Sequence, residues 1–169
     1  MSETGIDDLM ASVDSALIVV TTSAEGEPAG CLVGFHTQSS ISPEQYCFWL
    51  SKANHTYRVS LRSTRFAVHF LTSADLELAR HFGSQTGEDT NKFADLDHTT
   101  AEEGVPLLTD LPNRILVERL AMLDDGGDHV ANTCRVLWAE SAGSFEPLRA
   151  SQVGGLSPGH SSEERAVHP

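Results

Sequence analysis

Two strand–turn–strand patterns, one toward each end of the chain, constrain the fold more than any other feature. Ala16 to Thr22 reads ALIVVTT, a β-branched apolar run that stops at Ser23-Ala24-Glu25-Gly26-Glu27-Pro28, and Ala29 to Gln38 resumes as a strand. Asn113 to Leu123 and His129 to Glu140 repeat the arrangement around Asp124-Asp125-Gly126-Gly127-Asp128. Strands joined by turns this short pair antiparallel, because a parallel neighbour needs a crossover of about a dozen residues or more. Between the hairpins, Gln45 to Ser51 is an aromatic-rich strand and Phe66 to Leu71, FAVHFL, is another. Helices are predicted for Gly5 to Asp14, with Ile6, Leu9, Met10 and Val13 on one face, and for His55 to Ser63 behind an Asn54 cap. A third runs from a Thr72 or Ser73 cap to about Phe82, with Asp75 and Glu77 in its first turn. Gly83 to Asp110 is polar and reads as loop with a short helix around Lys92 and Phe93. The expected class is mainly β: an antiparallel sheet or barrel with two or three peripheral helices.

With 169 residues the chain can bury one ordinary core. Residues 1–145 are expected to form a single domain. Residues 146–169, rich in Ser, Gly, Pro and His, read as an extended or disordered tail. A net charge of −13 argues against nucleic acid, whose phosphates need clustered Lys and Arg. No apolar run is long enough to span a bilayer, and Glu3, Asp7 and Asp8 stand where a signal peptide would be basic. A cytoplasmic protein without membrane contact is the expectation. Cys31, Cys47 and Cys134 form no CxxC pair and read as buried thiols, and no histidine stands in a zinc-site spacing, so no metal is expected. The absence of any GxG excludes a Rossmann dinucleotide fingerprint.

Charge is unevenly placed. Residues 45–74 hold none of the 24 carboxylates, yet they hold Lys52, Arg58, Arg62 and Arg65. This island is either a site for a small anion or a solvated face whose arginines pair with acids elsewhere. Within it, Ser51-Lys52-Ala53-Asn54-His55-Thr56 sits at a strand-to-helix junction, where free N–H groups would suit a phosphate. A plain Asn54 cap is the alternative. His36 to Pro43, HTQSSISP, is a polar run that is either a heterocycle contact or a surface turn. Gly30 and Gly34 in the preceding strand hint at bulges or close approach by a ligand. Gly127-Asp128-His129 delivers a histidine at a strand start, as a proton-handling or stacking group or as a structural one.

Together these segments resemble the flavin reductase domain family, which adopts the FMN-binding split β-barrel with Greek-key strand order. The hairpin ALIVVTT…GEPAGCLVGFHTQSSISP, then SKANHTYRV, Asn91-Lys92-Phe93 and Gly127-Asp128-His129 follow the family's order from about Leu9 to Glu140. The resemblance implies that Thr37, Gln38, Ser39 and Ser40 bond the isoalloxazine edge. It implies that Ser51, Lys52, Ala53, Asn54 and Thr56 hold ribityl and phosphate, with Lys92 closing over the phosphate. His129 would then place the nicotinamide for hydride transfer. The implied function is an NAD(P)H-dependent flavin reductase using FMN or FAD with NADH or NADPH, a homodimer that supplies a partner monooxygenase. An FMN-binding protein of the same barrel without nicotinamide turnover is the alternative, with a deazaflavin oxidoreductase and a plain interaction domain behind it. Asn91 departs from the acid common at its position, and the residues after Phe145 do not resemble the family's last strand.

Overall fold

The computed structural model describes residues 5–84 and 91–154. In chain order these residues form α1 (Ile6–Val13), β1 (Ile18–Ala24), β2 (Glu27–Val33), β3 (His36–Ser40), β4 (Gln45–Ser51), α2 (His55–Ser60), β5 (Arg65–Phe70), α3 (Leu76–Ser84), β6 (His98–Thr100), β7 (Pro106–Leu108), β8 (Arg114–Leu123) and β9 (His129–Glu140). Seven strands make one sheet in the order β2-β1-β5-β8-β9-β4-β3, and β6 with β7 forms a small second sheet. Every pairing is antiparallel. The two edge strands, β2 and β3, are joined through Gly34 and Phe35 alone, so the sheet has to curl until its opposite edges meet. Trp49 N–H donates to Phe35 O at 2.9 Å, which carries the β3–β4 ladder one residue into this link. The expected antiparallel β class holds as a curled half-barrel with three helices.

The all-buried pattern of β1 explains why ALIVVTT shows no polar alternation: both faces are covered. Ile18 and Val20 point into the curl with Cys31, Val33, Phe48, Leu50, Phe66, Val68, Val117 and Cys134. Leu17 and Val19 face the other way, against Ala79 and Phe82 of α3 and against Phe93, Leu108, Leu111 and Leu148. Each such Leu, Val or Phe contributes about 1.5–3 kcal/mol by leaving water. All three cysteines are buried and free. Helix α2 is fastened at both ends. Asn54 Oδ1 accepts from Thr56 N–H at 3.2 Å, and the Arg119 guanidinium donates to Ser60 O at 3.1 Å and Ser63 O at 2.7 Å.

Three expectations need correction. The strand expected from Ala29 to Gln38 is two strands, because the curl breaks the ladder at residues 34–35. The region from Gly83 to Asp110 holds the β6–β7 hairpin, while Lys92 and Phe93 sit in successive turns; residues 85–90 of that region lie outside the described residues. The domain runs past Phe145. Leu148 is buried, its N–H donates to Leu71 O at 3.0 Å and its carbonyl accepts from Leu17 N–H at 2.8 Å. A short 3-10 turn at Ala150–Val153 follows. The rest of the expected tail, residues 155–169, lies outside the described residues.

Candidate functional site

The β2–β3 break, the C-terminal end of β4 and the start of β9 converge on a cleft of about 160 Å³. Cys31, Leu32, Val33, Gly34, Phe35 and Trp49 make an apolar wall, and Ser51, Asn54 and His129 form the polar end. Register explains the convergence: β4 pairs with β9 so that Ser51 stands directly opposite His129. The pairing continues one residue further, with Lys52 N–H donating to Asp128 O at 2.9 Å. The β8–β9 turn is thereby held against the β4–α2 junction.

His129 is fixed from two sides. Its Nδ1 lies 2.7 Å from Asp128 Oδ1, and its ring lies 4.8 Å from the Phe35 ring at a 60° tilt. The hydrogen bond from His129 holds the Asp128 carboxyl below the usual carboxylate range. Ser51 Oγ accepts from Ala53 N–H at 3.3 Å. Asn54 both caps α2 and lines the cleft. The Cys31 thiol is buried, pushed up in pKa by desolvation, and within hydrogen-bond reach of the Thr56 and Asn54 side chains.

The structure thus brings Ser51, Asn54 and His129 together. Ala53 and Thr56 lie beside them but are buried, outside the cleft lining. Thr37, Gln38, Ser39 and Ser40 do not share the cleft. Gln38, Ser39 and Ser40 line a separate open depression with Ile41 and Ser42, and Thr37 Oγ1 donates to Gln38 O at 3.1 Å.

Both expected phosphate lysines are already paired within the chain. Lys52 Nζ meets Asp124 Oδ1 at 2.9 Å. Lys92 is 4% exposed, and its Nζ donates to Gly30 O at 3.0 Å and Phe82 O at 3.1 Å. Its ammonium is held by these two carbonyls, Lys92 is not among the residues that line the cleft, and burial pushes its pKa down. The carboxylate-free window follows the bland course too. Arg62 binds Glu25 and Glu27, and Arg65 binds Glu102 and Glu118. Those acids come from distant segments, which no local pattern announces.

Sequence reasoning missed Cys31, Leu32, Val33, Phe35 and Trp49 as cleft residues. One signal was present: Gly34, flagged as a close-approach position, lies at the strand break and lines the cleft. Gly30 has a different reason. A Cβ there would come within 3.0 Å of Phe82 and 3.1 Å of Phe93, so it makes room for α3 and the Phe93 turn. Among the described residues no group of three or more His, Cys, Asp or Glu could hold a metal, and no helix is long and apolar enough to cross a membrane.

A curled antiparallel sheet whose apolar cleft carries a few polar groups, with an Asp–His pair beside it, has the general make-up of a small-molecule site. The chain belongs to the flavin reductase like domain family, which matches residues 10–151. It is 30% identical over 115 residues to the reductase subunit HsaB of a flavin-dependent monooxygenase from Rhodococcus jostii, a match covering 68% of this chain and 57% of that protein. It is also 30% identical over 122 residues to the FMN reductase (NADH) SmoA of Agrobacterium fabrum, covering 72% of this chain and 67% of that one. A flavin reductase domain protein from Arthrobacter sp. FB24 shares the fold with a TM-score of 0.79 at 18% identity, over 92% of this chain and 94% of that one.

Proposed function

We propose that this chain is an NAD(P)H-dependent flavin reductase that binds FMN or FAD, transfers a hydride to it from NADH or NADPH, and supplies reduced flavin to a partner monooxygenase. The observation that carries the reading is the cleft in which His129 stands opposite Ser51 at the polar end of an apolar wall. The donor set fits a flavin: Leu32, Val33 and Trp49 offer apolar surface to a ring system, and Ser51 and Asn54 offer a hydroxyl and an amide to a ribityl chain. A bound flavin supplies the hydride-accepting chemistry, and the protein supplies position and electrostatics. Asp128 engages His129 Nδ1, so Nε2 is the nitrogen that a nicotinamide carboxamide would meet. Phe35 buttresses the imidazole from the cleft side. For Thr37, Gln38, Ser39 and Ser40 the role of ring-edge contacts rests on the family resemblance alone.

A second copy of the chain completes the site in this reading. The cleft's 160 Å³ is well below the roughly 300–1,000 Å³ of ordinary ligand sites, so one chain supplies part of the walls. Phe35 at its rim is exposed, as are Leu120, Met122 and Leu123 on β8, and a homodimer would cover them. Each subunit is then a split barrel working in the cytoplasm. The test is oxidation of NADH and NADPH by the purified chain with and without added FMN or FAD. Flavin-dependent oxidation supports the reading. Flavin binding without oxidation of either nucleotide would replace it with the binding-protein alternative.

A further inference from the structure

The β8–β9 turn carries Asp124, Asp125 and Asp128 within one five-residue segment, and two of these carboxylates hold basic side chains, Lys52 and His129. Asp128 holds His129. Asp124 Oδ1 lies 2.9 Å from Lys52 Nζ, in a pair whose side chains are 17% exposed on the lysine and 48% on the aspartate. Lys52 stands in the chain between Ser51 and Asn54, both of which line the cleft. The turn is preset for this contact. Lys52 N–H donates to Asp128 O, and Asp124 Oδ1 also accepts from Gly126 N–H at 2.9 Å. Gly126 has φ +97°, a conformation that other residues adopt only under strain.

We propose that Asp124 is a specificity-determining residue: it screens Lys52, so a ligand bearing a terminal phosphate must displace a carboxylate to reach the ammonium. A ligand without the phosphate meets no such competition. This rests on the flavin-binding reading above. The carboxylate and the phosphate compete for one cation, so the apparent affinity for the phosphorylated ligand falls by the fraction of chains in which Lys52 is released. A partly exposed ion pair of this kind sets that fraction within about two- to fivefold. The effect would narrow the preference of the site for FMN over riboflavin.

The experiment measures FMN and riboflavin dissociation constants, by quenching of flavin fluorescence, for the full chain and its variants. Asp124→Asn keeps an Oδ1 acceptor for Gly126 and removes the charge. Asp124→Ser is a second variant with a short acceptor. Asp125→Asn removes the same charge from the same turn, but Asp125 bonds Gly127 N–H and not Lys52. Both Asp124 variants are expected to bind FMN about two- to fivefold more tightly, with riboflavin unchanged. Asp125→Asn should move FMN less, and the gain should vanish when Asp124→Asn is placed on Lys52→Met. Equal gains from Asp124→Asn and Asp125→Asn, or a gain that survives without Lys52, would overturn the proposal and leave flavin binding intact. A wild-type chain that binds neither flavin overturns the flavin reading itself, and this proposal with it.

Discussion

Stability below neutral pH depends on a histidine far from the cleft. His69 in β5 is fully buried. Leu108 N–H donates to its Nε2 at 3.1 Å, so Nε2 is unprotonated and Nδ1 carries the hydrogen that meets Val19 O at 3.2 Å. Protonating Nε2 would set two hydrogens against each other and place a charge in the core. Burial, the main cause, and the nearby Arg114 guanidinium push the imidazole pKa from 6.5 to about 3, against the opposing bond to Val19. The unfolded chain binds this proton as pH falls through 6.5, whereas the folded chain refuses it until about 3. The contribution is therefore complete above 6.5 and is lost progressively as pH falls toward 3. At about 1.36 kcal/mol per pH unit, lowering pH from 7.5 to 5 costs the fold about 2 kcal/mol through this group. Urea unfolding of the wild type and His69→Gln at both pH values isolates the effect, because other titrating groups, His36 included, cancel in the difference. His69→Gln should start less stable, by about 1–3 kcal/mol for disturbed buried hydrogen bonds, yet lose about 2 kcal/mol less on acidification. Equal losses in the two proteins would refute the assignment of a neutral, proton-refusing His69.

Three further outcomes are expected. His129→Ala should slow reduction of flavin by NADH in stopped-flow measurements through poorer placement of the rings, and leave flavin affinity nearly unchanged. Lys92→Met leaves Gly30 O and Phe82 O without their buried donor, so unfolding free energy should fall by about 1–3 kcal/mol while the FMN-to-riboflavin affinity ratio stays put; a selective FMN loss of about tenfold, the size of a charge-assisted bond, would return Lys92 to the phosphate. Leu148→Ala should cost about 2–5 kcal/mol in denaturant unfolding, as a core leucine does and a tail residue would not.

What could be read from the sequence was decided within a few neighbouring residues. Strands β4 and β9 were read to their observed ends, because polar turns of recognisable chemistry bound them on both sides. Ser51, Asn54 and His129, which the structure gathers at one cleft, stood out in the sequence for the same reason: each lies where a strand meets a turn or a helix cap. The misses share one cause, which is that the deciding partner lies far along the chain. Nothing local breaks the run from Ala29 to Gln38. The break comes from the curl, which must join β2 and β3 although they are opposite edges of one sheet. Lys92 has the composition of a surface lysine, and only the approach of β2 and α3 supplies the carbonyls that bury it. Leu148 sits in a segment of polar and Pro-containing sequence, but a single leucine becomes core once β1 and the end of β5 offer backbone partners on either side. The carboxylate-free window shows the same effect in charge: Arg62 and Arg65 are answered by Glu25, Glu27, Glu102 and Glu118 from other segments. Lys52 is answered by Asp124, in the turn that also delivers His129. The Asp124 variants measure whether that pair competes with a ligand's phosphate for the lysine.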